Sequence, residues 1–175
     1  MKTAFLSISL FLLCCTGFAQ TKIDYRKKGA PIPAFGIEAL NGKIISNAVL
    51  KANKPVMLVI FSPDCPHCIH ALDTLKGLTD QLKDIQLVLL TEEVHKAQLE
   101  DFLKKSELDK NPSFKYVGTD KSHLIYLIYA YGMLPQFTIY DSKHSLVKTF
   151  SGIFPLDSLK MYLPNYKASE PLKKQ

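Results

Sequence analysis

Two cysteines separated by two residues, Cys65-Pro66-His67-Cys68, are the part of this sequence best suited to covalent chemistry. Thiols at this spacing can exchange with a disulfide: a thiolate attacks one sulfur, and the second thiol resolves the mixed disulfide so formed. The attacking sulfur must be accessible and its thiolate stabilised, and a helix N-terminus meets both needs through its free N–H groups and dipole. Cys65 stands just ahead of Ile69, Leu72, Leu75, Leu78 and Leu82, whose three- and four-residue spacing predicts an amphipathic helix from Cys65 to about Lys83. Cys65 is therefore the candidate nucleophile and Cys68, one turn further in, the candidate resolving residue. Pro66 suits the first helical turn, where its missing N–H costs nothing. His67 can place positive charge beside the Cys65 thiolate, whereas the Asp64 carboxylate opposes it.

Other uses of the pair fit less well. A structural staple gains little from closing so short a loop. Covalent haem needs a histidine directly after the second cysteine, and Ile69 stands there. Zinc needs two further ligands; His67 and His70 crowd the same turn, while His95, His123 and His144 lack a paired spacing, so no metal is expected.

Around the pair, the chain reads as one α/β domain. Of 175 residues, 47% are apolar and 22% charged, enough for a single core. Lys2, the apolar run Ala4 to Leu13, and Gly17-Phe18-Ala19 form a signal-peptide pattern over residues 1–19, with cleavage expected after Ala19. The run is too short to span a bilayer as a helix. Lipid anchoring would require processing at Cys14 or Cys15, which Leu13 and Cys14 precede poorly. Export to an oxidising compartment leaves Cys65 and Cys68 as the only cysteines. The formal charge of +6 is spread along the chain, with only Arg26-Lys27-Lys28 in a row, so no nucleic-acid partner is expected.

After a polar lead-in over 20–28, a domain over 29–163 opens with extended Ala30 to Pro33. A hairpin follows, formed by Phe35 to Ala39, the turn Asn41-Gly42, and Lys43 to Ser46. Pro55 to Phe61 is a continuous apolar run, as a strand buried on both faces requires, and Ile85 to Leu90 is a second. Glu92 to Lys105 reads as a helix presenting Val94, Leu99, Phe102 and Leu103 to the sheet. Phe114 to Val117 reads as an edge strand, and Ser122 as the cap of a helix through Ala130 carrying Leu124, Leu127 and Ile128. Tyr126, Tyr129 and Tyr131 read as core and boundary packing. Phe137 to Tyr140 and Leu146 to Phe150 form a closing hairpin, and Pro155 opens a last helix to Leu163, before a polar tail over 164–175.

A strand, a Cys-Xaa-Xaa-Cys pair at a helix start, and later Met133-Leu134-Pro135-Gln136-Phe137 leading into a strand resemble the thioredoxin superfamily over residues 29–163. The Ala30-Pro31 entry and the Asn41-Gly42 hairpin are most similar to exported TlpA-like reductases. The resemblance implies a thioredoxin-like fold: a central mixed sheet flanked by helices, with the N-terminal hairpin as an extension. It implies that Pro135 is a cis-proline facing the cysteines and that Leu134 offers its backbone to a substrate strand. It further implies a thiol-disulfide oxidoreductase of the periplasm or another extracytoplasmic space, working as a reductase without an organic cofactor. Its partners would be cysteine-containing proteins and a membrane or envelope electron-exchange partner. Two departures stand out: Asp64 replaces a common Trp, and Val59 replaces a buried acid, leaving Cys68 without an identified proton acceptor. Pro66-His67 is shared with oxidising disulfide donors, so a disulfide-donating oxidase, or a redox-responsive binding module without turnover, is the alternative.

Overall fold

The computed structural model describes residues 23–78, 80–153, 158 and 162. The expected signal sequence, the C-terminal tail and most of the expected last helix lie outside the described residues. Seven strands form one mixed sheet: β1 (Gly36–Glu38), β2 (Ile44–Ser46), β3 (Val56–Ile60), β4 (Gln86–Glu92), β5 (Tyr116–Asp120), β6 (Gln136–Tyr140) and β7 (Leu146–Ser151). Their order is β2-β1-β5-β4-β3-β6-β7. β3, β4 and β5 run parallel, and the remaining pairings are antiparallel.

Strand alternation divides the core between two faces. Met57, Val59 and Phe61 point to one face and pack with α1 (Pro66–Gly77) and α2 (Lys96–Ser106) through Leu72, Leu75, Leu99 and Phe102. Val56, Leu58 and Ile60 point to the other, where α3 (Leu124–Tyr129) contributes Ile125 and Tyr129. Every residue of β3 is therefore buried, which accounts for its unbroken apolar sequence. The strand that leads into the cysteine pair sits between β4 and β6, shielded on both edges and both faces.

Several elements differ from expectation. α1 ends at Gly77, not near Lys83; the Leu78 N–H turns back to the Leu75 carbonyl at 3.0 Å, a three-residue closure that stops the helix at a poor helix former. Leu82 is still buried, from the following turn. Val94 is 70% exposed because Glu93–His95 is a separate 3-10 turn preceding α2, which breaks the expected helical phase. Ser122 does not cap α3. Its hydroxyl donates to Asp120 Oδ1 (2.9 Å), and Asp120 Oδ2 receives the Ile125 N–H (2.7 Å), so the carboxylate at the end of β5 performs the capping. The buried face of α3 is correspondingly Ile125 and Tyr129, while Leu124 and Leu127 are exposed.

β5 is not an edge strand, because β1 pairs onto it and β2 lies outermost. This covering depends on Gly118: a Cβ there would lie 2.6 Å from the Glu38 carbonyl oxygen. Gly118→Ala must push the β1–β2 hairpin off the sheet, and a loss of about 2 kcal/mol, read as a Tm lower by roughly 5 °C, is expected. At the opposite edge the lead-in closes on β7, with the Gly29 N–H donating to the Leu146 carbonyl (2.8 Å) and the Leu146 N–H to that of Ala30 (2.7 Å). The N-terminal segment thus covers the edge of β5 and the start of β7.

Candidate active site

β3 and β4 remain in register through Ile60 and Leu90, and the Phe61 N–H still reaches the Leu90 carbonyl (3.1 Å). The chain then turns, with the Cys65 N–H on the Ser62 carbonyl at 3.2 Å. Cys65 is the N-cap of α1, with extended backbone (φ −87°, ψ 115°), and its Sγ accepts from the Cys68 N–H at 3.4 Å. A half-exposed sulfur is thereby held on a free helical N–H, at the positive end of three turns of dipole. Pro66 occupies the first helical turn, as its missing N–H and fixed φ favour.

Cys68 is fully buried behind it, against Val59, Phe61 and Leu72. Burial, reinforced by hydrogen bonding to Cys65, pushes the Cys68 thiol up to about 12, although the Ser62 N–H (3.5 Å from its Sγ) works in the opposite direction. Both cysteines are free thiols in this structure. The pair is therefore asymmetric, with one sulfur presented to solvent and one kept protonated inside.

His67 is exposed at the start of α1. Asp64 is 61% exposed, and its Oδ2 lies 3.8 Å from Nδ1 of His95. Their meeting follows from the topology: β3 and β4 are parallel neighbours, so residues just beyond their C-terminal ends come together. His95 has no spacing signal relative to Asp64 in the sequence, only this shared sheet edge.

The antiparallel β3–β6 register ends at Ile60 opposite Gln136, so the next rung places buried Pro135 level with Phe61. The Leu134–Pro135 peptide is cis, and the Pro135 carbonyl accepts from the Gly152 N–H at 2.9 Å. Leu134 is half-buried and packs against both core clusters. Met133 is 63% exposed and Ile153 78% exposed, leaving an apolar border at this end of the sheet. Tyr131 packs at the boundary of the core, as expected, and in addition donates its hydroxyl to Glu92 Oε1 at 2.5 Å.

Val59 leaves an apolar surface where a buried acid could have stood next to Cys68. Among the described residues no group of three or more His, Cys, Asp or Glu is placed to hold a metal ion. No helix among them is long and apolar enough to cross a membrane.

A mixed sheet with a Cys-Xaa-Xaa-Cys pair at the N-terminus of the helix after its central strand, and Pro135 just ahead of the neighbouring antiparallel strand, is a thioredoxin-like α/β fold. Comparison with known proteins agrees. The secreted Mycobacterium tuberculosis disulfide oxidoreductase homologous to E. coli DsbE superposes with a TM-score of 0.60 at 20% identity, covering 74% of this chain and 93% of that one. The exposed lipoprotein thioredoxin Etrx1 of Streptococcus pneumoniae gives 0.56 at 22% identity, covering 75% and 98%. In sequence, the thiol:disulfide interchange protein DsbE of Yersinia pestis is 32% identical over a 93-residue alignment that covers 46% of this chain and 50% of that protein. The chain thus matches about half the length of this curated relative. No family model matches it.

Proposed function

We propose that the protein is a thiol-disulfide oxidoreductase that exchanges disulfides with cysteine-containing proteins outside the cytoplasm, in the reducing direction. The observation that carries this reading is the asymmetry of the pair, with Cys65 presented at the cap of α1 and Cys68 buried one turn behind. The Cys65 thiolate attacks a substrate disulfide, forming a Cys65–substrate bond and expelling one substrate thiolate, which takes up a proton. Cys68 then loses its proton and attacks Cys65 Sγ, forming the Cys65–Cys68 disulfide and releasing the second substrate thiol. The substrate gains two electrons and two protons, and the protein becomes oxidised. A membrane or envelope electron donor restores the dithiol.

In this scheme Pro66 and His67 favour the thiolate of Cys65 and Asp64 opposes it, while Leu134 and Pro135 receive the substrate backbone beside the two sulfurs. The similarity to one secreted protein and one exposed lipoprotein supports an extracytoplasmic site of action. They are compatible with either a cleaved leader or a lipid anchor. No organic cofactor enters the scheme.

The test is the equilibrium reduction potential of the Cys65/Cys68 pair against glutathione, read by thiol alkylation and mass, together with insulin reduction driven by a dithiol. Potentials in this fold run from about −270 mV for thioredoxin to about −120 mV for strong donors. A value near the low end with turnover is expected. A value near the high end would reverse the direction and make the protein a disulfide donor. Val59 favours a second reading, a redox-responsive binding module without turnover, since its apolar side chain offers Cys68 no carboxylate to take its proton. Partner binding that differs between the oxidised and reduced forms, without insulin turnover, would establish that alternative.

A further inference from the structure

Several acids gather around the carboxyl ends of β4 and β5, Glu38 of β1 among them, and most are committed to the scaffold. Glu38 pairs with Lys96 (2.8 Å) and Lys121 (3.5 Å), Glu93 with the Thr119 hydroxyl and Lys96 (3.7 Å), and Asp120 caps α3. Glu92, the last residue of β4, instead accepts the Tyr131 hydroxyl at 2.5 Å. Tyr131 lies in the segment between α3 and Pro135. The bond thus ties the segment that leads into β6 to the carboxyl end of β4. β4 is the parallel neighbour of β3, and continuing their register sets Glu92 level with Ser62, where β3 releases the chain toward Cys65.

We infer that Tyr131 and Glu92 are positioning residues: their hydrogen bond fixes the Gly132–Leu134 segment relative to Cys65, so that a substrate strand docking beside Pro135 meets the nucleophile in register. The inference rests on the exchange reaction proposed above. The Tyr131 ring is also held edge-on by Tyr126, with centroids 5.3 Å apart and planes at 89°. Burial and the neighbouring Glu92 carboxylate keep the Tyr131 phenol protonated, hence a donor. At its far end the segment is held by the Gly152 N–H on the Pro135 carbonyl. Between these anchors Gly132 and Met133 are exposed, as a surface that contacts a substrate must be.

The test compares steady-state reduction of insulin with alkylation of Cys65 by iodoacetamide, which reads the sulfur without the docking surface. Tyr131→Phe keeps the ring and removes the donor. KM for insulin is expected to rise roughly five- to tenfold, with kcat and the alkylation rate within about twofold of wild type. Glu92→Ala should match it, and the double variant should be no worse than either single change. Glu92→Gln, which keeps an acceptor oxygen at the same reach, should restore most of the lost affinity. An unchanged KM in Tyr131→Phe, additive losses in the double variant, or a Gln variant no better than Ala would overturn the inference while leaving the exchange reaction intact. A wild-type protein that cannot reduce insulin would remove the exchange reading and this inference with it.

Discussion

Cys65→Ser is expected to lower reduction of protein disulfides by at least about a thousandfold, while Cys68→Ala is expected to hold a substrate covalently on Cys65. The difference arises from burial. Cys65 is half-exposed at the helix cap, whereas Cys68 has no exposed surface, so an incoming disulfide can reach only the first sulfur. Without Cys65 the first bond cannot form, and the buried thiol is no substitute. Without Cys68 the first bond forms, but no neighbouring thiol displaces the substrate, and the mixed disulfide persists until an external thiol cleaves it. Non-reducing electrophoresis and intact mass after incubation with oxidised substrate would show an adduct with Cys68→Ala and none with Cys65→Ser. Equal activity of the two variants, or an adduct formed through Cys68, would contradict the assignment of roles. Both substitutions are conservative in volume, and Cys65 holds the helix cap with an acceptor that Ser supplies as well. Loss of activity with an unchanged Tm would therefore report chemistry.

What the sequence disclosed follows from how each signal is encoded. β3 was legible because burial on both faces demands an unbroken apolar run, and the cysteine pair because its spacing and the helical period after it are local. The central position of β5 was not, because Phe114 to Val117 gives no sign that Glu38, far away in the chain, pairs with Thr119. Only Gly118 hinted at another backbone coming close. The α3 cap was missed for a related reason: a serine near a helix start fits the usual pattern, but here a buried Asp at a strand end supplies the carboxylate. At the site itself, the cysteines and Pro135 stand in recognisable patterns. His95 and Glu92 do not, since they approach Asp64 and Tyr131 through strand adjacency alone. A general signal does exist. In a parallel sheet, residues just past the carboxyl ends of neighbouring strands share one surface, so the Glu92 to His95 segment was a candidate once β3 and β4 were paired.

The buried thiol makes stability depend on both pH and redox state. In the reduced protein Cys68 titrates at about 12, against an ordinary thiol near 9, because burial penalises its anion. A group whose folded value is raised contributes fully below the unfolded value and loses that contribution as pH climbs toward the folded one. The unfolded chain releases this proton from about pH 9 upward, and the folded chain retains it, so the reduced form should weaken by up to about 1.4 kcal/mol per pH unit across that interval. The full slope is an upper bound, since Cys68 lies only one turn from the half-exposed Cys65. The disulfide form has no Cys68 proton to lose and should lack this component. Tyr129 and Tyr140 are also buried and raised, but they contribute equally to both redox forms, so comparing the forms removes them. Urea midpoints of the reduced protein between pH 8 and 11 should therefore fall faster than those of the oxidised protein, and Cys68→Ala should abolish most of the difference. Parallel midpoints would mean that the Ser62 N–H and nearby water solvate the Cys68 anion enough to offset its burial. The second step of exchange would then need no separate proton acceptor, and the apolar Val59 would cease to be an obstacle to turnover.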